Sequence, residues 1–176
     1  MEKNNKSGQE RSGEYRAKVL TISDSRFKLM RKGTDKDKSG WIIQEKLEEL
    51  DISSTRKIIP DNRDMIKDNV LRSIKNEKTD LIITTGGTGI TLKDVTYETV
   101  SPLLEKTLPG FGETLRRKGY ERVGGLGILT RAIAGISRDT PVICLPGPPD
   151  SIRIGMDILK GSLKEIIKKS KKIQEE

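Results

Sequence analysis

The stretch DLIITTGGTG, Asp80 to Gly89, decides the fold. Its first half is a short, unbroken apolar run, as expected of a strand covered on both faces. Its second half breaks that run with glycines, marking where the strand ends and the chain turns towards a helix. The same pattern recurs on either side. YRAKVLTIS (15–23) reads as a strand closed by Ser23-Asp24-Ser25, and residues 53–60 form a less apolar, strand-like segment ending at Asp61. VICL (142–145) is a further buried strand, followed by Pro146-Gly147-Pro148-Pro149.

Helical spacing fills the intervals. Ser39 to Leu50 places Ile43, Leu47 and Leu50 on one face, and Asn62 to Asn76 does the same with Ile66, Val70 and Ile74. A helical region runs near Tyr97–Lys106 and another from Phe111 to Lys118, with Pro109 between them; residues 128–136 read as irregular or strand-like. Pro148 and Pro149 suit the first turn of a helix carrying Ile152, Met156 and Leu159, and a last helix uses Leu163, Ile166 and Ile167. Strands alternating with helices predict an α/β fold: three layers, doubly wound, a mostly parallel sheet with helices on both faces. The 176 residues favour one domain, over 14–170, between a disordered tail at 1–13 and a frayed end at 171–176. Trp41 and Phe111 read as core or interface residues.

Composition removes several chemistries. The chain has no histidine and a single cysteine, Cys144, inside an apolar run. Ser–His–Asp and Cys–His catalysis, histidine-ligated metals, cysteine zinc sites and internal disulfides are therefore excluded. Any metal must be a hard cation held by oxygen, and Cys144 reads as a packed core thiol. The opening MEKNNKSGQERSGE lacks the apolar run of a signal peptide, and no stretch reaches the roughly 18 apolar residues of a membrane span. A cytoplasmic protein without membrane contact is expected. The formal charge of +8 is uneven: Arg26 to Lys38 holds six cations against two anions. Such patches attract anionic ligands. A basic nucleic-acid-binding domain is a rival reading, but aromatics are only 3% of the chain, a poor supply for base stacking, so no specific nucleic-acid partner is expected.

All the unusual segments fall where strands end and helices begin. In open parallel sheets ligands bind outside the carboxyl ends of the strands, so one site built from several loops is expected. Successive glycine N–H groups can form an anion-binding nest. The Gly86–Gly89 segment is neither a P-loop nor a dinucleotide fingerprint, and on its own reads equally as a phosphate cradle or a tight turn. Asp61, before Asn62 and three residues from Asp64, has the look of a helix N-cap. Thr96 reads as the cap of the next helix, which leaves Asp94 for a ligand or metal role or for a local ion pair with Lys93.

Read together, these residues resemble the MogA/MoaB family of molybdenum cofactor biosynthesis proteins. The matching pieces are SDS (23–25), D-x-S-G (37–40), Pro60-Asp61, TTGGTG (84–89), KDVT (93–96), PGFGE (109–113), TRAIAG (130–135) and LPGPP (145–149). They occur in unbroken order over about residues 15–160. The resemblance implies a Mg²⁺-dependent transfer of AMP from ATP to the terminal phosphate of molybdopterin, with release of pyrophosphate. It implies that Asp61 and Asp94 act in catalysis and hold the metal. It places substrate at Ser23, Asp24, Ser25, Thr85, Gly86, Gly87, Thr88, Gly89, Lys93, Thr130, Pro146, Gly147 and Pro149. It also implies a homotrimer or homohexamer and hand-over of the product to a molybdenum insertase. Thr130 stands where many relatives have Ser, Lys93 where Arg is common and Tyr97 where Pro is frequent. A non-catalytic molybdopterin-binding protein of the same fold is the alternative within the family.

Overall fold

A computed structural model describes residues 15–76 and 79–171; the expected tail at 1–13 and residues 172–176 lie outside the described residues. Lys171, assigned above to a frayed end, is the last residue of a helix, and its ammonium pairs with Asp80.

The strands are β1 (Tyr15–Ile22), β2 (Ile52–Ile59), β3 (Leu81–Thr85), β4 (Lys106–Thr107), β5 (Ile133–Ser137) and β6 (Thr140–Leu145). The helices are α1 (Asp24–Arg31), α2 (Lys38–Glu48), α3 (Arg63–Asn76), α4 (Thr96–Val100), α5 (Pro109–Val123), α6 (Pro149–Leu159) and α7 (Leu163–Lys171). Short 3-10 turns cover Ser101–Leu103 and Gly124–Leu129. The sheet order is β2-β1-β3-β6-β5-β4. The first four strands run parallel, and β5 and β4 are antiparallel additions at one edge.

Strands β3 and β6 carry no charged residue because both of their faces are covered. Successive side chains of a strand point to opposite faces, and here each face meets a helix layer. Val19, Ile83, Ile143 and Leu145 pack with Ile43, Leu47, Ile152, Met156, Leu163 and Ile167 from α2, α6 and α7. Leu20, Ile82, Val142 and Cys144 pack with Ile66, Val70 and Val100 from α3 and α4. Each fully buried Leu or Ile contributes roughly 1.5–3 kcal/mol relative to exposure, so both layers are needed. Cys144 is the core thiol expected: burial pushes its pKa up to about 12, with the neighbouring Thr84 hydroxyl opposing the shift, so it carries no reactive thiolate.

One helix was not foreseen, and of the two aromatics read as core or interface residues only one is in the core. Helix α1 was not legible, because none of its residues is buried and it has no apolar face to announce it. Phe111 is in the core, but Trp41 is 46% exposed; its ring instead underlies the Arg56 guanidinium at 5.5 Å. That guanidinium pairs with Asp35 and, at 2.8 Å, with the fully buried Asp37. Asp37 also accepts from Thr21 Oγ1 at 2.6 Å and caps α2 by accepting from Gly40 N at 2.9 Å.

Candidate active site

Strand register brings the chemically distinctive loops to one rim. Thr21 pairs with both Ile58 and Thr85, and Thr85 pairs with Leu145, so β1, β2, β3 and β6 end level with one another. Strand β5 runs the opposite way and begins at Ile133, opposite Cys144, so the residues preceding it reach the same rim. Thr130 and Arg131 thereby meet the glycine loop: Arg131 N donates to Thr88 O at 2.8 Å.

Backbone geometry accounts for two of the glycines. Gly86 and Gly87 have φ of +97° and +65°, a region that side-chain-bearing residues rarely adopt. A Cβ on Gly86 would lie 2.3 Å from the Ile22 carbonyl oxygen, and one on Gly87 would lie 2.3 Å from Thr96 Oγ1. Thr96 is not a helix cap, contrary to the sequence reading; it is the first residue of α4, and its hydroxyl donates to Gly86 O at 2.9 Å. It locks the loop from behind.

The aspartates converge on this loop. Asp61 is not the cap of α3. Asn62 takes that role, its Oδ1 accepting from Met65 N at 3.0 Å. Asp61 turns instead to Asp24, and each carboxylate accepts from the other's backbone N–H, at 2.8 and 3.1 Å. A Cβ on Gly87 would lie 3.4 Å from Asp61 Oδ1, and one on Gly89 would lie 2.8 Å from Asp94 Oδ2. Burial holds the Asp61 carboxyl above the ordinary carboxylate range, and the charges of Asp24 and Asp94 add to this, against the opposing Asp24 amide and Lys93. Asp94 goes the other way. Burial disfavours its charge, but the Thr91 hydroxyl and amide, the Gly89 amide and Arg131 together outweigh that and hold it low. Thr91 donates to Asp94 Oδ2 from Oγ1 at 2.7 Å and from N at 2.9 Å.

Arg131 is the functional residue that sequence reading passed over. Its Nε donates to Gly89 O at 2.8 Å and its Nη2 to Asp94 O at 3.0 Å, while Glu98 pairs with the same guanidinium. One side chain thus ties the glycine loop to the Asp94 loop. The signal was present in TRAIAG, since an arginine beside a rim threonine offers five donors in a fixed fork.

The rim encloses a cleft of about 610 Å³. Gly86, Gly87, Thr88, Gly89, Asp94 and Thr130 line it, with Pro146 and Gly147 from the loop after β6. Ser39 Oγ secures that loop by donating to Gly147 O at 2.8 Å, and Thr85 Oγ1 does the same to Pro146 O at 2.8 Å. Thr85 is buried and outside the lining; the half-buried Ser23, which caps α1, Asp24, Asp61 and Pro149, which starts α6, are outside it too. Ser25 and Lys93 are exposed at the rim, Lys93 close enough to Asp61 to lower its pKa. The remaining wall was not foreseen: α5 and the Gly124–Leu129 turn contribute Leu115, Leu126 and Leu129, and α6 adds Ile154. The cleft is polar at the strand ends and apolar across from them.

No cluster of three acidic or thiol ligands occurs among the described residues. Asp61 and Asp94 supply two carboxylates, which suits Mg²⁺, an ion held through one or two carboxylates with water and phosphate completing its shell.

The comparisons agree with this geometry. A family model described as a probable molybdopterin binding domain matches residues 18–165. The molybdopterin adenylyltransferase of Pyrococcus furiosus is 40% identical over 154 residues, spanning 85% of this chain and 88% of that protein. A solved molybdenum cofactor biosynthesis protein B superposes with a TM-score of 0.81 at 36% identity, covering 92% of this chain and 98% of the other. The tungsten cofactor synthesizing protein MoaB of Pyrococcus furiosus gives a TM-score of 0.79 at 38% identity over 89% and 97%. Fold, rim and matched sequence agree, and this chain belongs to the molybdopterin-binding family of molybdenum cofactor biosynthesis proteins typified by MoaB and MogA.

Proposed function

We infer that this protein is a molybdopterin adenylyltransferase, moving AMP from ATP onto the terminal phosphate of molybdopterin and releasing pyrophosphate. The observation that carries the reading is convergence on the glycine loop: Asp94 lines the cleft and lies against Gly89, and Asp61, just outside the lining, lies against Gly87. The names of close relatives supply the reaction class. A terminal phosphate oxygen of molybdopterin forms a bond to the α-phosphorus of ATP, the bond from that phosphorus to the bridging oxygen breaks, and pyrophosphate leaves with the electron pair. The nucleophile is already ionised at neutral pH, so no base is needed and a chain without histidine can perform the step.

The task of the protein is then alignment and charge compensation. Gly86–Gly89 would hold a phosphate through backbone N–H groups, and the apolar α5 wall would cover the pterin. Asp94, with Asp61, would hold Mg²⁺, which offsets the charge gathered on the phosphates. Lys93, near Asp61, would assist. Substrate contacts at Ser23, Asp24 and Ser25 belong to the same proposal. Hand-over to a molybdenum insertase and work in the cytoplasm follow from the family's role; no helix among the described residues is long and apolar enough to cross a membrane. A homotrimer or homohexamer would give cover to exposed apolar residues such as Leu92, Leu126 and Ile128.

Two measurements test the reading. Incubation with molybdopterin, ATP and Mg²⁺ should yield pyrophosphate and the adenylylated pterin; binding without turnover would instead mark a non-catalytic pterin binder. Asp61→Asn leaves the Asn62 cap intact, so the variant should fold while transfer drops about a hundredfold or more, the scale of losing a group that acts in the transition state. Wild-type transfer by Asp61→Asn would remove Asp61 from the chemistry.

A further inference from the structure

We propose that Arg122 is a switchable anion-binding arm of the cleft, leaving its ion pair with Asp150 to take a phosphate group of the bound substrate. The proposal rests on the adenylyl-transfer reading only for the identity of that substrate. Its starting point is the charge of the lining. Arg122, in the last turn of α5, is the one cationic residue lining the cleft among the described residues, whereas Asp94 and Asp150 both line it. With its cation occupied, the cleft opposes the entry of a polyanion.

The existing pair is built to be given up. Arg122 Nη2 meets Asp150 Oδ2 at 3.0 Å, with the two side chains 55% and 65% exposed. An exposed pair of this kind is worth at most about fivefold in an equilibrium constant. Asp150 would not be stranded, because Arg153 Nη1 stands 3.9 Å from its other oxygen and the residue sits in the first turn of α6, where a negative charge is favoured. A phosphate offers more than Asp150 does, since the guanidinium fork can engage two of its oxygens. The arm also has a firm base. Gly127 packs so closely on α5 that a Cβ there would lie 2.4 Å from Tyr120 N, two residues from Arg122. Leu126 and Leu129 line the same wall and lower the local dielectric around a bound anion.

The test is a difference in sign. Binding of ATP and, separately, of molybdopterin under anaerobic conditions is titrated calorimetrically with wild type, Arg122→Gln and Asp150→Asn. Both positions are more than half exposed, so both variants should fold, which a thermal melt verifies. If Arg122 serves the ligand, Arg122→Gln weakens binding roughly tenfold or more, the scale of a lost charged hydrogen bond. Asp150→Asn frees the arm and tightens binding by up to about fivefold, the strength of the pair it releases. Arg122→Lys should fall between wild type and Arg122→Gln. The ligand whose affinity responds identifies the phosphate that the arm takes. A purely structural bridge predicts that both variants shift binding in the same direction or not at all, and either result overturns the proposal. Wild-type protein that binds neither ligand would overturn the functional reading itself, a separate outcome.

Discussion

Replacing Arg131 by methionine keeps an unbranched apolar stem and removes every polar contact of the side chain. Two backbone carbonyls, of Gly89 and Asp94, lose a charged donor, and Glu98 loses its partner. A hydrogen bond to a charged group contributes about 1.5–3 kcal/mol net. The Arg131 side chain is 29% exposed, so water can take over part of the task and the lower figure applies to each. Two such bonds give a loss of about 3 kcal/mol, and with roughly 2–4 °C per kcal/mol for a chain of this size the melting temperature should fall by about 6–12 °C. Activity should suffer separately, because the same contacts fix Asp94 relative to the glycine loop. A displacement near 1 Å can cost about a hundredfold in rate, so adenylyl transfer at 25 °C, where the variant is still folded, should drop by about that factor. Arg131→Lys keeps the charge without the fork and should fall between. Glu98→Gln acts mainly through Arg131, so combining it with Arg131→Met should add little to the single change. A methionine variant that melts within about 2 °C of wild type and transfers AMP normally would refute the positioning role, given the magnitudes above.

Other consequences can be checked by denaturation. Asp61 has a folded pKa above its ordinary value of 3.8, so its contribution to stability is fully present below that value and lost as pH rises through the elevated one. Asp61→Asn should therefore be more stable than wild type at pH 7, with the advantage vanishing in acid; urea titrations at both ends decide it, and a less stable variant at neutral pH contradicts the shift. Arg56→Met strands the fully buried Asp37 carboxylate, and a loss of about 3–5 kcal/mol is expected in urea melts. Gly86→Ala drives a methyl group onto the Ile22 carbonyl oxygen at 2.3 Å with φ at +97°. It should cost at least about 1–3 kcal/mol of strain and weaken ATP binding; an unperturbed melt would show that the loop yields.

The parts of this molecule that could be read in advance share a cause. Strands β3 and β6 lie between two helix layers, so they are buried throughout and carry no charge, and LIITT and VICL say so. Helices α2, α3, α6 and α7 bury one stripe each, which leaves a periodic trace. Helix α1 buries nothing and leaves none. The rim loops were visible because glycine and proline are costly inside elements and so mark their ends. What could not be read was who bonds to whom. Asp61 followed by Asn62 offers two candidate caps, and only the fold shows that Asp24 claims the first while α3 takes the second. Arg131 hid for a related reason: its partners are backbone carbonyls 37 and 42 residues away, which have no sequence signature. The apolar wall from Leu126 and Leu129 went unread, because exposure at a cleft looks the same in the sequence as exposure to solvent.

The opposite shifts of Asp61 and Asp94 bear on the division of labour between them. Asp94 is fixed by Thr91 and kept ionised, which suits a permanent ligand for a divalent cation. Asp61 is more buried, leans on Asp24 and feels the charges of two other carboxylates, so its ionised form is held at a cost when the cleft is empty. A cation held between Asp61 and Asp94, as proposed, would relieve that cost. Under the proposed adenylyl transfer both substrates are polyanions, and the arrangement would bear on their entry. Phosphates alone would be repelled by the aspartates, whereas phosphates carrying a metal ion would be drawn in, so the Asp61 charge that costs stability would also favour the charge-neutralised form of the substrate.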